Sequence, residues 1–181
     1  MTDLYSFRIT FRGDLGDPEE VVDALYGSGC DDATVSVERD GSAGYADFDR
    51  DADDALTAVV TAVEQIEATG LHIDSVGDDL VSVADIAERT GRSQQTVSAW
   101  ITKVRGPGGF PASCIDRHWG AVYSWAEVTQ WLARHRLVGL DPAAVEAAAA
   151  CAAVSALLDA RAKLRALPAP AVRRARRLLA A

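Results

Sequence analysis

Cysteine and histidine are scarce in this sequence, which has three of each among 181 residues. No two cysteines form a C-x-x-C pair, and no histidine lies at metal-ligand spacing from another ligand. These scattered residues are Cys30, Cys114, Cys151, His72, His118 and His135. A zinc site and a disulfide framework are therefore not indicated, and the cysteines are interpreted as small buried hydrophobic residues. No metal and no cofactor are predicted.

Catalytic signatures are also missing. The glycine-rich stretch at residues 105–111 lacks the Lys-Ser/Thr ending that a phosphate-binding loop requires. No Ser/His/Asp or Cys/His set can be assembled from the residues of the N-terminal part. The sequence therefore predicts a protein that is not an enzyme.

A secretory signal and a membrane span are not evident either. Residues 1–5 lack the positive start and the apolar run of a signal peptide. The most apolar window, residues 143–154, contains Glu146 and is shorter than the roughly 20 residues that cross a bilayer. We therefore expect a cytoplasmic protein.

Positive charge is almost absent from the first part of the chain and is concentrated in the second. Residues 1–80 contain 4 Arg and Lys against 20 Asp and Glu, a net charge of −16, whereas residues 81–181 contain 14 against 7, a net charge of +7. The overall charge of −9 and the pI near 4.7 hide this division. Since only the surface that meets phosphates matters for nucleic-acid binding, the average does not exclude it. The discontinuity near residue 80 predicts two domains.

The predicted N-terminal domain, residues 1–79, alternates strand and helix patterns. Tyr5, Phe7, Ile9 and Phe11 occupy one face of a half-buried strand. The other predicted elements are a helix from Pro18 to about Gly27, strands at 33–37 and 44–48, a helix from about Asp51 to Gly70, and a strand at 71–76. The order βαββαβ predicts an α+β, ferredoxin-like fold, in which an antiparallel sheet carries two helices on one face.

The carboxylates of this domain gather in clusters at residues 14–20, 31–32 and 47–54. The spacing Asp47-x-Asp49-x-Asp51 resembles the start of a calcium loop but lacks the glycine and the closing glutamate of an EF-hand. Three interpretations of the acidic surface stay open. It is a solubilising surface, an autoinhibitory surface that competes with DNA for the chain's own basic half, or a docking site for a basic protein partner.

Two short helices separated by a tight turn are predicted next. Ser82 caps the first helix, residues 90–92 form the turn, and Ser93 caps the second helix. Val97 and Trp100 share one face of the second helix, and its opposite face is polar. Because a major groove is read through hydrogen bonds, the glutamine amides and serine hydroxyls on that face favour contact with base edges.

A wing is predicted after this pair of helices. Two short strands around residues 116–120 pair with each other and place Arg117 and His118 at the tip, within reach of phosphate or the minor groove. Trp125 and Trp131 recur at helical spacing and predict a third helix beneath the wing. The predicted DNA-contacting residues are Arg92, Ser93, Gln94, Gln95, Ser98, Thr102, Lys103, Arg105, Arg117 and His118.

This region resembles the winged helix-turn-helix of the MerR superfamily, in particular its AlpA/excisionase-like branch. The similarity lies in residues 81–97 (V-S-V-A-D-I-A-E-R-T-G-R-S-Q-Q-T-V), in Gly109-Phe110-Pro111 and in Tyr123-x-x-x-Glu127-Val128-x-x-Trp131-Leu132. The resemblance covers about residues 81–132. It implies sequence-specific binding of double-stranded DNA by a domain at 80–136, in transcriptional control or as an architectural, excisionase-type recombination factor.

A protein-interaction adaptor or antitoxin-like regulator is the competing class. The wing carries Asp116 beside a single arginine, so its positive charge is weak. In that interpretation the helix-turn-helix fold is kept, while the acidic domain and the C-terminal tail bind other proteins.

The C-terminal tail, residues 137–181, is rich in alanine and arginine. A predicted helix begins after Asp141 and ends near Leu167. Its apolar stripe consists of Val154, Leu157, Leu158 and Leu164. This stripe suits either a homodimer or packing on the chain's own domains. The arginines at 173–177 follow on a last short helix, and contact with DNA, contact with the acidic domain and plain solvation all stay open for them.

Overall fold

The computed structural model describes residues 2–13, 17–117 and 120–177. It has a mixed α+β fold, which confirms the predicted fold class at that level. The N-terminal elements are β1 (Asp3–Arg12), α1 (Pro18–Gly27), β2 (Ala33–Val37), β3 (Ala43–Ala52), α2 (Ala55–Ala68) and β4 (His72–Val76). The four strands form one antiparallel sheet, the first sheet, in the order β2-β3-β1-β4.

The remaining elements follow the first sheet after a linker of residues 77–79. They are β5 (Leu80–Ser82), α3 (Val83–Thr90), α4 (Gln94–Ile101), β6 (Ile115–Arg117), β7 (Gly120–Ser124), α5 (Trp125–His135), α6 (Pro142–Arg165) and α7 (Ala169–Arg176). A second, antiparallel sheet has the order β5-β7-β6. The structure therefore contains a four-stranded sheet with helices, a small three-stranded sheet and a long C-terminal helix.

Alternation along β1 creates the first core, the hydrophobic cluster between the first sheet and its helices. Tyr5, Phe7, Ile9 and Phe11 are all buried, as the period-two pattern predicts. The Phe7 ring stacks on the Phe48 ring of β3 with their centroids 5.2 Å apart. The antiparallel pairing of β1 with β3 thus brings aromatic side chains together on the helix-covered face.

The start of α2 differs from its sequence prediction. The pattern places the helix start at about Asp51, but β3 continues to Ala52 and the N-cap is Asp54. Asp51 pairs with Leu4 of β1, so the sheet register extends the strand. The Asp54 carboxylate accepts the Thr57 N–H at 2.8 Å and satisfies a free donor of the first helical turn. The hydrogen bonds that the backbone N–H and the side chain of Thr57 donate to this carboxylate lower the pKa of Asp54.

Helix α6 completes the first core from the far end of the chain. Its buried residues Ala147, Ala150, Cys151 and Val154 belong to the same cluster as the side chains of β1 and α2. Burial raises the pKa of the Cys151 thiol to about 12. Of the two alternatives for the apolar stripe, packing on the chain's own core occupies Val154 and part of Leu158, whereas Leu157 is exposed.

Polar contacts fasten α6 to the same unit. The Glu146 carboxylate accepts the Tyr5 hydroxyl at 3.2 Å and the Ala55 N–H, at the first turn of α2, at 3.0 Å. Burial, together with the bond to Glu146, raises the pKa of Tyr5. Arg161 forms an ion pair with Glu67 of α2. By length and composition alone α6 could cross a membrane, and it is the one such helix among the described residues.

A short linker joins the first sheet to the second. The Gly77 N–H donates to the Arg8 carbonyl at 2.7 Å, and the Asp79 carbonyl accepts the Trp125 N–H at 2.6 Å. The Asp79 carboxylate also accepts the Ala126 N–H, in the first turn of α5, at 2.9 Å, while Ser124 is the N-cap of that helix. The linker is therefore hydrogen-bonded to both parts of the chain.

Candidate nucleic-acid interface

Local sequence signals position the helix pair α3–α4. The Ser82 hydroxyl accepts the Asp85 N–H at 3.3 Å, and the Asp85 carboxylate accepts the Ser82 N–H at 2.8 Å, which completes a reciprocal capping box. These bonds lower the pKa of Asp85. Gly91 ends α3 in the left-handed conformation with φ 62°, which glycine adopts at little steric cost. Ser93 caps α4 by accepting the Thr96 N–H at 3.2 Å.

One face of α4 is buried in the second core, the hydrophobic cluster shared by α3, α4, α5 and the second sheet. Val97 is fully buried and Trp100 is 6% exposed. The Trp100 and Trp131 ring centroids lie 5.7 Å apart, and Phe110 contacts Trp131 edge-on with the centroids 4.9 Å apart. The Trp131 indole N–H donates to the Gly108 carbonyl at 2.9 Å. The aromatic cluster thus fixes α4 and the glycine-rich loop that follows it.

The opposite face of α4 is polar and exposed. The exposed polar residues of this face and of the segment directly after the helix are Gln94, Gln95, Ser98, Thr102, Lys103 and Arg105. The Thr102 hydroxyl donates to the Ser98 carbonyl at 2.8 Å, and the Ser93 hydroxyl serves the helix cap. The two glutamine amides and the Ser98 hydroxyl have no protein partner within the described part of the chain. A groove of about 360 Å³ lies beside this face between Gln95 and Arg105, and Trp100 forms part of its lining.

Arg92 differs from the other cations near α4 that are predicted to contact DNA. Its Nη2 donates to the Leu137 carbonyl at 3.0 Å, so it joins the start of α4 to the segment after α5. Lys103 and Arg105 are exposed just beyond the C-terminal end of α4, and Lys103 adopts a left-handed conformation with φ 60°. The structure therefore places all three cations around α4, while Arg92 also has an internal role.

The predicted wing strands pair with each other. Ile115 of β6 lies opposite Val122 of β7, and the Arg117 backbone lies opposite Gly120. His118, predicted at the wing tip, lies outside the described residues. The third strand, β5, pairs with β7 from Leu80 opposite Ser124, and this pairing connects the wing to the start of α3.

One exposed residue was missing from the predicted contacts. Val104 lies between Lys103 and Arg105 and is 75% exposed, the largest exposed fraction among the large hydrophobic residues described. Its position between two cations after a polar helix is the sequence signal that could have pointed to it. An apolar side chain at such a position suits contact with a thymine methyl group.

Comparisons of the chain with protein-family models, with curated proteins and with solved structures find no match. Within the described ranges, no group of three or more His, Cys, Asp or Glu side chains is arranged to hold a metal ion. The chemistry and geometry of the α4 surface are therefore the features that indicate a function.

Proposed function

We propose that residues 80–136 form a winged helix-turn-helix that binds double-stranded DNA in a sequence-specific manner. The observation that supports this most directly is the division of α4 into two faces. Val97 and Trp100 hold one face in the aromatic core, the other face presents amides and a hydroxyl to solvent, and the segment after the helix presents cations. A rigid helix with an exposed hydrogen-bonding face matches what readout in a major groove requires.

The exposed residues divide into two groups by their chemistry. Gln94, Gln95 and Ser98 are hydrogen-bonding groups that suit base edges, and a glutamine amide can bond an adenine through two atoms. Lys103 and Arg105 are cations that suit phosphates, which position the protein without reading sequence. In this proposal Arg117 and His118 of the wing add contacts to the sugar-phosphate backbone of the DNA.

The proposed physiological role is that of a transcriptional regulator with an accessory domain. The N-terminal unit is interpreted as ferredoxin-like, because its element order βαββαβ and its sheet order β2-β3-β1-β4 agree with that fold. Its many carboxylates favour a role in modulating DNA binding or in docking a partner. An architectural role in recombination would use the same DNA contacts and would be recognised by strong bending of the bound duplex.

A salt titration of the full-length protein tests the proposal. Duplexes are first selected from random sequence, and the dissociation constant is then measured by fluorescence anisotropy across a range of salt concentrations. The logarithm of the association constant should fall by about 0.9 per phosphate contacted for each unit of log salt concentration. Arg105→Ala should reduce that slope by about one and weaken all duplexes alike. Lys163→Ala serves as the control, because Lys163 is an exposed cation on α6 paired with Asp159.

Base readout is tested separately with Gln95→Ala. If Gln95 bonds an adenine, this substitution should reduce discrimination between the selected duplex and a scrambled one by roughly 1–3 kcal/mol. A uniform loss of affinity for both duplexes would show that Gln95 does not read bases. A salt-independent interaction, or no duplex selected at low salt, would contradict the DNA-binding proposal itself.

The second candidate function is a protein-interaction adaptor. The internal hydrogen bond of Arg92 to the Leu137 carbonyl favours it, because a residue predicted to contact DNA uses one of its donors within the fold. Under this candidate, Arg92→Ala would reduce the free energy of unfolding without altering any DNA affinity.

A further inference from the structure

Strand β2 lies at one edge of the first sheet, with β3 as its single neighbour. The Asp49 N–H donates to the Asp32 carbonyl at 3.2 Å, and the Glu38 N–H donates to the Ala43 carbonyl at 2.8 Å. In an antiparallel pair, hydrogen-bonded positions alternate with positions whose backbone groups point away. The even-numbered residues of this strand therefore face β3, and Val35 and Val37 direct their backbone groups away from the sheet.

Most of these outward groups are unpaired. The Ala33 N–H is satisfied by the Cys30 carbonyl at 3.3 Å. The Ala33 carbonyl and both backbone groups of Val35 and Val37 have no hydrogen-bond partner within residues 2–13, 17–117 and 120–177. The opposite edge of the sheet differs, because backbone groups of β4 are hydrogen-bonded there. The Ser155 hydroxyl of α6 bonds both the N–H and the carbonyl of Val76.

Within its five residues, the β2 edge also lacks three features that hinder pairing with another strand, namely lysine, proline and a bulge. Its sequence, Ala-Thr-Val-Ser-Val, contains no lysine and no proline, and its pairing with β3 has no register shift. Val35 and Val37 pack partly against the first core, while Thr34 and Ser36 are small and exposed. An incoming strand would therefore find a regular backbone edge bordered by small side chains.

Charge around this edge specifies the partner. Asp31 and Glu38 are exposed at its two ends, and neither has an ion-pair partner in the part of the chain that the structure describes. Helix α1, which packs next to β2, exposes Glu19, Glu20 and Asp23. Arg50 does not offset them, because it is 7% exposed and its guanidinium pairs with Asp32 at 2.6 Å. Arg39 is exposed beside Glu38, and as a single cation it leaves these five carboxylates in excess. A second copy of β2 would bring the same carboxylates together, whereas a basic segment would neutralise them.

We propose that β2 accepts an extended, basic segment of a partner protein as a fifth strand of the first sheet. The partner's backbone would bond Val35 and Val37, and its lysine or arginine side chains would meet Asp31, Glu38 and the carboxylates of α1. This surface lies on the acidic unit and does not depend on the DNA-binding proposal.

The test uses the full chain and a synthetic probe of about seven residues that alternates lysine with valine. The matched control peptide has the same sequence but carries N-methyl groups on the amides that would face β2. Binding is followed by amide chemical shifts and hydrogen exchange. The expected result is slowed exchange at Val35 and Val37, with affinity for the N-methylated peptide at least about tenfold weaker.

Substitutions on the protein test the same contact from the other side. Val35→Pro removes an N–H that makes no bond within the sheet, so the fold should be kept while peptide affinity falls at least about tenfold. Val35→Thr retains the N–H and should bind within about twofold of the unmodified chain. The double variant Asp31→Asn, Glu38→Gln should weaken binding several-fold at low salt and little at high salt.

Several results would overturn the proposal. Equal affinity for the N-methylated peptide would exclude strand pairing, and shifts centred on residues outside β2 and α1 would place the contact elsewhere. If protection of Val35 rises with protein concentration in the absence of peptide, the occupant is a second copy. If Val35→Pro unfolds the chain, the N-methylated peptide and the carboxylate variants decide the outcome.

Discussion

The two hydrophobic cores of this protein are assembled in different ways. The first core collects buried residues from Tyr5 to Val154, nearly the whole length of the chain. The buried residues of the second core all lie between Val81 and Leu132. The first core contains many alanine and aliphatic side chains, and the second is centred on contacts among Trp100, Phe110 and Trp131. A unit built from neighbouring segments can therefore be recognised locally, whereas one closed by a distant helix cannot.

The surfaces of the two parts of the chain differ as well. The first unit is the part that forms the first core, and the second unit is the part that forms the second core. The first unit exposes carboxylates such as Glu19, Glu20 and Asp23, and the second exposes Gln95, Lys103 and their neighbours. A binding surface for an anionic polymer and a binding surface for a basic segment can thus exist in one chain of net charge −9.

Removing the central aromatic side chain of the second core should have the largest effect. Trp131 is 3% exposed and contacts Trp100 and Phe110, so Trp131→Ala should lower the free energy of unfolding by about 3–5 kcal/mol. Amide exchange should accelerate in α3 and α4 before it does in β1. The half-buried Trp125 provides a control, and Trp125→Ala should cost about half as much or less. Equal acceleration in β1 and α4 would show that the two cores unfold as one.

The dependence of the first core on α6 is tested by a matched pair of substitutions. Ala150 is 8% exposed, whereas Ala153 on the same helix is exposed. Ala150→Asp would bury an unpaired carboxylate and should lower the free energy of unfolding by roughly 3 kcal/mol. Ala153→Asp has the same helix propensity cost and should lower it by less than about 1 kcal/mol. Urea denaturation measures both values, and similar losses would contradict burial of this helix face.

A smaller effect is expected from neutralising the acidic surface of α1. If these carboxylates compete with DNA for the basic surface, the triple variant Glu19→Gln, Glu20→Gln, Asp23→Asn should bind the selected duplex about two- to fivefold more tightly at low salt. The gain should disappear at high salt, because screening weakens the competition. Anisotropy titrations at both salt concentrations provide the measurement and its control. An affinity that is unchanged at low salt would leave the α1 surface without an autoinhibitory role.

The smallest effect concerns the helix caps, which both units use alike. Hydrogen bonds lower the pKa of Asp54 in the first unit and of Asp85 in the second. A carboxylate whose pKa is lowered in the folded state stabilises the fold at pH values above its unfolded-state pKa of about 3.9. This contribution is lost as the pH falls through the folded-state pKa. Asp54→Asn and Asp85→Asn should therefore reduce the free energy of unfolding at pH 7, and the difference from the unmodified chain should shrink at acidic pH. A difference that does not vary with pH would exclude this linkage.

Sequence patterns predict most of the second unit and part of the first. Caps at Ser82 and Ser93 involve residues at most three positions away, so they can be read directly from the chain. Strand β5 could not be read this way, because Leu80–Ser82 is too short to show a period and is defined by its pairing with β7. The role of α6 was left open, because its alanines give little contrast between faces and Glu146 bonds Tyr5 across 141 positions.

The candidate site, too, is predicted by the sequence only in part. The polar face of α4 follows from helical spacing around Val97 and Trp100, and the structure exposes it as predicted. The hydrogen bond of Arg92 to the Leu137 carbonyl has no sequence signal, because every residue offers a backbone carbonyl. Distant backbone acceptors of this kind are what pattern analysis cannot supply.

The insertion of α6 into the first core has a consequence for synthesis on the ribosome. The first sheet leaves the exit tunnel early, but its partner surface, which includes Ala150 and Val154, is translated late. The second core lies between them and has all its buried residues by Leu132. We therefore expect the middle of the chain to fold first, while the part of the first core that α6 covers stays exposed, which reverses the usual N-to-C order of domain folding.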